Sequence, residues 1–539
     1  MTDTIHIALA QINPIVGDIS YNLNKIRSAW KNAPAHTDLI AFPEMALCGY
    51  PPEDLVLKPF FMDSVEKAVG EIVAESASYE SALLLPAPWR NDGKTYNAVH
   101  LIHKGKILAT RTKRDLPNYG VFDERRVFMP GPLPEPVPFK GFNLGIIICE
   151  DMWSPDAARY LKKQGADFLL VVNASPFDSK KGNARLQLAQ TRLQETGLPL
   201  LYVNQIGGQD ELVFDGGSFV LDEKGNLIAR AKSFEEDTLL HCHPDRPKGV
   251  EGSGHVHDDN KNIYDALKLG LRDYIEKNGF PGILLGLSGG IDSALSAAIA
   301  VDALGAERVH CVMMPSRYTS KDSLEDAEEQ AKILGVRLDT IPIESAIQPF
   351  NDIMKDYKDS SLTFENIQSR ARGVILMALS NATGKMVLST GNKSEMATGY
   401  ATLYGDMCGG FNVLKDVYKT QVYALSRWRN GLGRVIPERV ITKAPTAELK
   451  DNQTDQDTLP PYETLDDILA CLIEMDMGVA DIAQRGHPRE TVQKVWKMLE
   501  RAEYKRRQSP PGIKITSRAF GRDRRYPITN HFVNIVEKQ

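Results

Sequence analysis

The chain has 539 residues, of which 42% are hydrophobic and 25% charged, with a formal net charge of −6. That length is too great for one core, so two or three domains are expected, and the slightly acidic balance gives no general attraction to nucleic acid. The six cysteines are scattered and form no C-x-x-C pair, which argues against a disulfide framework or zinc site and for a reducing compartment; with no signal-like start and no run of 18 apolar residues, no membrane partner and a cytoplasmic location are expected.

Residues 5–12, IHIALAQI, follow a period-two pattern and predict a strand. A helix begins over Asn22 to Trp30, and a strand over 38–44 ends on Glu44. An amphipathic helix follows at 64–77, then strands at 82–88, 97–103 and 106–111, with Lys113 just beyond the last. A buried strand over 142–151 carries Cys149, a helix covers 154–166, and a strand covers 167–175. A helix at 182–197, a strand at 198–207 and two last strands in GGSFVLDEKG and NLIARA complete the pattern. His241-Cys242-His243 has metal-like residue types, but neighbours in an extended segment point to opposite faces, so its expected role is structural. Alternation with hairpins predicts an α/β or α-β-β-α layered domain over 1–243.

Residues 244–262 are rich in Pro, Gly and polar residues without periodicity and read as a linker. A second α/β pattern runs over 263–539. Its centre is GILLGLSGGIDSALSAAIA, residues 282–300: an apolar strand, a glycine turn and an Ala/Leu-rich helix. Amides at a helix N-terminus attract an anion, glycines permit close approach, and Ser288 and Ser293 add hydroxyls. Asp292 repels phosphate unless a cation lies between them, so the turn suggests a Mg²⁺–pyrophosphate site. A strand and polar turn carry Arg317, and a helix over 364–381 carries Asn366, Arg370 and Arg372. The strand in 386–406 ends on Thr390-Gly391-Asn392, with Glu395 and Asp406 beyond, and Lys419 follows. Residues 443–469 read as a long polar segment with the length of a mobile lid.

Glu44, Lys113 and Cys149 each sit at the end of a predicted strand. A cysteine beside a lysine can be a thiolate, since an ammonium lowers a thiol pKa; a carboxylate within reach can take the thiol proton and return it to a leaving amine, and the ammonium can stabilise an oxyanion. LIAFPEMALCGYPPEDL, KRDLPNYGVFDERRVF, GIIICEDMW and NASPF resemble the nitrilase (carbon–nitrogen hydrolase) superfamily, in particular its glutaminase domains, over nearly all of 1–243. The resemblance implies Cys149 as nucleophile, Glu44 as general base and Lys113 as oxyanion stabiliser. It also implies Glu124 as a second carboxylate near Lys113, and a glutamine site of Tyr119, Glu124, Ser175 and Arg185.

SGGIDS resembles the ATP pyrophosphatase loop, and no GxxxxGK[ST] is present. With MPSRYTS, ENIQSRARG, TGNKSE, YGD and KAPTAEL, the second half is similar to the NAD synthetases, so the whole chain resembles the glutamine-dependent members of that family. The resemblance implies a Rossmann-like parallel sheet of the adenine nucleotide alpha hydrolase type. It places ATP on Ser288, Gly289, Gly290, Ile291, Asp292, Ser293, Arg317 and Thr390. It places deamido-NAD on Asn366, Arg370, Asp406 and Lys419, and Mg²⁺ on Asp292, Glu395 and Thr446. It further implies small-molecule substrates and a homo-oligomer, at least a dimer through the synthetase domains. Two alternatives stand beside it: a GMP-synthetase-like amidotransferase, whose glutaminase would need a Cys-His-Glu set, and a catalytically dead dinucleotide sensor. The complete Glu44/Lys113/Cys149 and Asp292/Glu395 sets argue against the second.

Overall fold

The computed structural model describes residues 4–179, 182–243, 258–357, 361–451, 453–530 and 532. They fall into two compact units, Met1–His257 and Asp258–Gln539. The strands of the first unit are Ile5–Gln11 (β1), Leu39–Ala41 (β2), Ala82–Asn91 (β3), Lys94–His103 (β4), Lys106–Thr112 (β5), Val137–Phe139 (β6), Phe142–Ile148 (β7), Phe168–Asn173 (β8), Leu200–Asn204 (β9), Ile206–Gln209 (β10), Leu212–Asp215 (β11), Phe219–Leu221 (β12), Leu227–Arg230 (β13) and Asp237–His243 (β14). One sheet runs β14–β1–β2–β3–β4–β5 and another β13–β12–β9–β8–β7–β6, while β10 and β11 pair separately.

The inner faces of the two large sheets meet in a core that joins Ile7, Leu9, Leu39 and Leu84 to Ile146, Ile148, Leu170 and Val203. Helices Ile19–Lys31 (α1) and Pro59–Glu75 (α2) cover the outer face of the first sheet through Ile26, Trp30, Val65 and Val69. Pro155–Lys163 (α3) and Gly182–Thr196 (α4) cover the second through Ala158, Leu161, Ala189 and Leu193. The result is the expected α-β-β-α sandwich. Period two in residues 5–12 would leave one face to solvent, yet β1 is buried on both faces except at His6, because helices lie over the sheet. The final strand β14 pairs antiparallel with β1. Its His241 and His243 share one face, with their rings in contact and His243 against Phe142 and Phe168, while Cys242 lies opposite, so the His-Cys-His run is split as expected.

In the second unit, Asp259–Lys277 (α5) begins inside the segment read as a linker. The Asp258 side chain caps it by accepting from the Lys261 amide, and Ile263, Tyr264 and Leu267 are buried beneath it. Residues 258–262 are therefore helix and cap rather than linker, and 244–257 lie outside the described residues. Strands Ile283–Gly286 (β15), Val309–Met313 (β16), Arg337–Thr340 (β17), Met386–Ser389 (β18) and Phe411–Asn412 (β19) form one sheet in the order β17–β16–β15–β18–β19. Every pairing is parallel. Around it lie Ile291–Leu304 (α6), Lys321–Leu334 (α7), Glu344–Ile353 (α8), Ser361–Thr383 (α9), Lys393–Thr398 (α10), Lys419–Gly431 (α11) and Glu438–Thr442 (α12). The chain builds outward from β15 to β17, then returns to the other side of β15. Ligands bind outside the carboxyl ends of strands at such a reversal. Tyr462–Ile473 (α13), Val479–Gln484 (α14) and Arg489–Arg501 (α15) form a separate helical core with α10. The lid expected over 443–469 is thus corrected: from Tyr462 onward it is helix, with Leu465, Ile468 and Leu469 fully buried.

Candidate active sites

In the first unit Glu44, Lys113 and Glu124 meet in the interior. The Lys113 Nζ donates to Glu44 Oε1 at 2.7 Å and to Glu124 Oε1 at 2.6 Å. Asn97 Nδ2 donates to Glu44 Oε1 at 2.7 Å, the Tyr50 hydroxyl to Glu124 Oε1 at 2.7 Å, and the Ala174 amide to Glu44 Oε2 at 3.0 Å. Burial penalises the ammonium, but Glu124 and Glu44 outweigh that and hold its pKa well above the ordinary lysine value. Glu124 is pushed up, chiefly by burial and further by Glu44, against the pull of Lys113.

Cys149 follows β7 directly and opens a short 3₁₀ turn, Cys149–Met152, with φ of +44°. A non-glycine residue in that region is strained and persists only where its surroundings over-determine it. Its thiol is pushed well up by burial and by Glu44, with Lys113 opposing. Lys113 is already paired with two carboxylates, so its pull toward the thiolate is outweighed by burial and Glu44. Asn97, Tyr50 and Asp151 escaped the sequence reading. Asn97 sits mid-strand in β4 with nothing in its neighbours' pattern to mark it, whereas Asp151 stands two residues from the cysteine.

Of the other residues expected near glutamine, Tyr119 is half-exposed and its hydroxyl lies 3.1 Å from both Glu150 carboxylate oxygens. Arg185 is buried, donating to Ser175 Oγ at 3.0 Å, the Ser175 carbonyl at 2.9 Å, the Pro176 carbonyl at 2.6 Å and Asp215 at 2.7 Å. It therefore braces the Ser175 loop. Glu124 is 5% exposed and bonded within the Lys113 cluster, which sets it among the buried charges.

In the second unit a cavity of about 300 Å³ opens at the carboxyl ends of β15, β16 and β18. Gly290, Ile291, Asp292, Ser293, Ser288, Thr390, Glu395, Asp406, Lys419 and Thr446 line it, as do Arg372 and Asp455, which the sequence reading left out of the site. Gly289, with φ of +77°, lies so close to α7 that a Cβ there would meet the Ser323 carbonyl oxygen at 2.3 Å. Ser293 is buried: its Oγ accepts from the Ser288 amide at 3.2 Å and donates to the Gly290 carbonyl at 3.0 Å. It shapes the turn, together with the Gly290 amide, which donates to Ser288 Oγ at 3.2 Å.

Lys419 Nζ is paired with Asp292 and lies 3.5 Å from Glu395 Oε1, and Asn392 Nδ2 donates to Asp292 Oδ1 at 2.9 Å. Burial and Asp292 push Glu395 up to about 8, with Lys419 opposing. Lys419 thus joins the carboxylate pair. Asp406 is held elsewhere on the wall, accepting from the Thr402 amide at 2.6 Å. Asn366 accepts from Thr402 Oγ1 at 2.8 Å and Arg370 donates to the Leu403 carbonyl at 3.2 Å; neither lines the cavity. Arg317 is exposed, 3.7 Å from Glu344, and is also off the cavity wall. Thr446 Oγ1 donates to the Gln453 carbonyl at 2.6 Å. Among the described residues no group of three His, Cys, Asp or Glu is placed to hold a metal. Mg²⁺ needs only one or two carboxylates when phosphate oxygens and water complete its shell, and Asp292 with Glu395 supplies that donor set.

The carbon-nitrogen hydrolase family model matches residues 6–242, and the NAD synthase model residues 263–509. The chain is 46% identical to the glutamine-dependent NAD(+) synthetase of Rhodobacter capsulatus, with 99% of each chain covered. The chain belongs to the glutamine-dependent NAD(+) synthetase family. The Aquifex aeolicus member of that family is 44% identical over 98% of this chain and all of its own. A solved glutamine-dependent NAD+ synthetase from Acinetobacter baumannii, in complex with ADP, superposes with a TM-score of 0.78 at 44% identity, covering 98% of this chain and 99% of that one. Membership in this synthetase family makes the chain a C–N ligase of the glutamine-hydrolysing type. Among the described residues no helix is long and apolar enough to cross a membrane.

Proposed function

We propose that the Glu44–Lys113–Cys149 centre hydrolyses glutamine and that the cavity over β15 and β18 uses the ammonia to amidate the nicotinate carboxylate of deamido-NAD. The observation that carries this reading is the strained Cys149 beside a buried lysine shared by two carboxylates, in one chain with a glycine turn that lines a cavity together with Asp292 and Glu395. Glu44 takes the thiol proton on Oε2, which has a lone pair beyond the one facing the Ala174 amide. Sγ attacks the glutamine amide carbon, Lys113 stabilises the oxyanion, and Glu44 returns the proton to the departing ammonia. Water then cleaves the thioester and glutamate leaves.

In the second unit the N-terminal end of α6, which opens on the glycine turn, orients ATP phosphates. Bound at Asp292 and Glu395, Mg²⁺ would neutralise charge on the pyrophosphate leaving group. Adenylation turns a poor acceptor carboxylate into a good one, and Lys419 holds its proton and charge beside the site of transfer. The products are NAD, AMP, pyrophosphate and glutamate.

All six cysteines are free thiols, which suits a nucleophile kept reduced in the cytoplasm. Phe350, Ile353, Tyr357, Val374 and Met377 are exposed along α8, the turn after it and α9. Such an apolar surface supports a dimer through the synthetase units. Cys149→Ala tests the reading: glutamine-dependent NAD formation is expected to vanish while ammonia-dependent formation persists. Equal loss with both nitrogen donors would overturn it.

A further inference from the structure

We propose that Asp151 is a positioning residue that sets Lys113 and Cys149 against each other, an inference that rests on the glutaminase reading above. Its carboxylate is 2% exposed. Oδ1 accepts from the Arg114 amide at 3.0 Å and the Asp115 amide at 2.8 Å, and Oδ2 accepts from the Ile148 amide at 3.1 Å. Arg114 and Asp115 immediately follow Lys113, and Ile148 immediately precedes Cys149. One side chain therefore ties the backbone leaving β5 to the backbone leaving β7. These strands belong to different sheets, so no ladder of backbone hydrogen bonds fixes their separation. The same carboxylate lies inside the turn that holds Cys149 at φ of +44°, so it supplies part of the constraint that such a conformation needs. Asp151 touches neither glutamine nor the reacting sulfur in this scheme; it acts through the two residues it spaces.

The side chains predict a graded outcome. Asn at this position keeps one acceptor oxygen for the 114–115 amides but turns an amide donor toward the Ile148 N–H, which loosens the cysteine turn alone. Ala releases both sides. The full chain is assayed for NAD formation with glutamine and with ammonia. It is also treated with 6-diazo-5-oxo-norleucine, a glutamine analogue that alkylates a glutaminase thiol with loss of N₂. Intact mass gives both the rate and the final stoichiometry of the adduct. The expected result for Asp151→Asn is a glutamine-dependent kcat and an alkylation rate lower by about tenfold or more, the range of misplaced catalytic groups. The KM for glutamine, the ammonia-dependent rate and the final one adduct per chain stay near wild type, and Asp151→Ala is worse than Asp151→Asn in the same two readouts. A twofold change or less in both variants would overturn the proposal. So would a lowered final stoichiometry or a matching fall in ammonia-dependent rate, since either marks a general folding role. Cys149→Ala run alongside separates the two inferences: if it still uses glutamine, the glutaminase reading itself fails.

Discussion

Lys113 illustrates how strongly a single buried charge is committed. Its ammonium is 0% exposed and faces Glu44 and Glu124. Lys113→Ala leaves two carboxylates facing each other without a cation, a change of the kind that costs about 3–5 kcal/mol. A lower thermal midpoint and loss of glutamine-dependent synthesis by about 10²-fold or more are expected together, and a melt with a glutamate-release assay checks both. Glu395 gives the second residue-scale prediction. Its carboxyl is raised to about 8, so below that pH it holds a proton that Mg²⁺ must displace. Apparent Mg²⁺ affinity is therefore expected to strengthen as pH rises from 6.5 to 8.5. Pyrophosphate release with deamido-NAD and ATP, titrated with Mg²⁺ at each pH, measures this. In Glu395→Gln that pH dependence should flatten. A wild-type affinity that stays constant with pH would remove Glu395 from the metal site.

Local geometry makes the glycine turn after β15 the least replaceable element. Gly289 combines φ of +77° with a neighbouring carbonyl oxygen 2.3 Å from a hypothetical Cβ. Gly289→Ala must shift either the turn or the start of α7, and the turn residues that line the cavity shift with them. The expected outcome is a loss of NAD formation with glutamine and with ammonia alike, by about 10²-fold, as displacements near 1 Å commonly cause. Adduct formation at Cys149 should be unaffected. Ammonia-dependent activity within twofold of wild type would show that the turn tolerates the methyl. The turn was legible in sequence because glycine and serine at fixed spacing between an apolar strand and an Ala-rich helix have few other uses. Residues 443–469 were not: their polar first half hides the apolar spacing of Leu465, Ile468 and Leu469, which shows only once α15 is there to receive it.

For the whole molecule the prediction concerns coupling. A glutaminase that runs without a waiting acceptor wastes glutamine, and free ammonia near neutral pH is mostly ammonium, which has no lone pair to attack an adenylate. Glutamate release from glutamine alone is therefore expected to be slow and to rise about tenfold when deamido-NAD, ATP and Mg²⁺ are added, requiring about 1.4 kcal/mol of preferential binding to the competent state. Glutamate and NAD measured in the same reaction test it. Unchanged release, with glutamate far exceeding NAD, would mean the two units work independently.

The sequence by itself determined the α/β class of both halves and the strand–turn–helix over 282–300, and it put Glu44, Lys113, Cys149, Asp292 and Glu395 forward as candidates, because each stands near a strand end or in a turn. Position alone would leave Glu44, Lys113 and Cys149 ordinary residues; resemblance to known motifs singled them out and joined the set into one reaction. Tertiary structure alone decided that Lys113 is shared between Glu44 and Glu124, that Cys149 is buried at a positive φ, that Lys419 sits with Asp292 and Glu395, and that Asn97 and Asp151 support the first centre. Arg317, Asn366 and Arg370 fall off the cavity wall for the same reason. Periodicity and motif spacing report which way a residue faces along its own element; which charges meet, and which amides a carboxylate collects, depends on elements far apart in sequence packing into one low-dielectric interior.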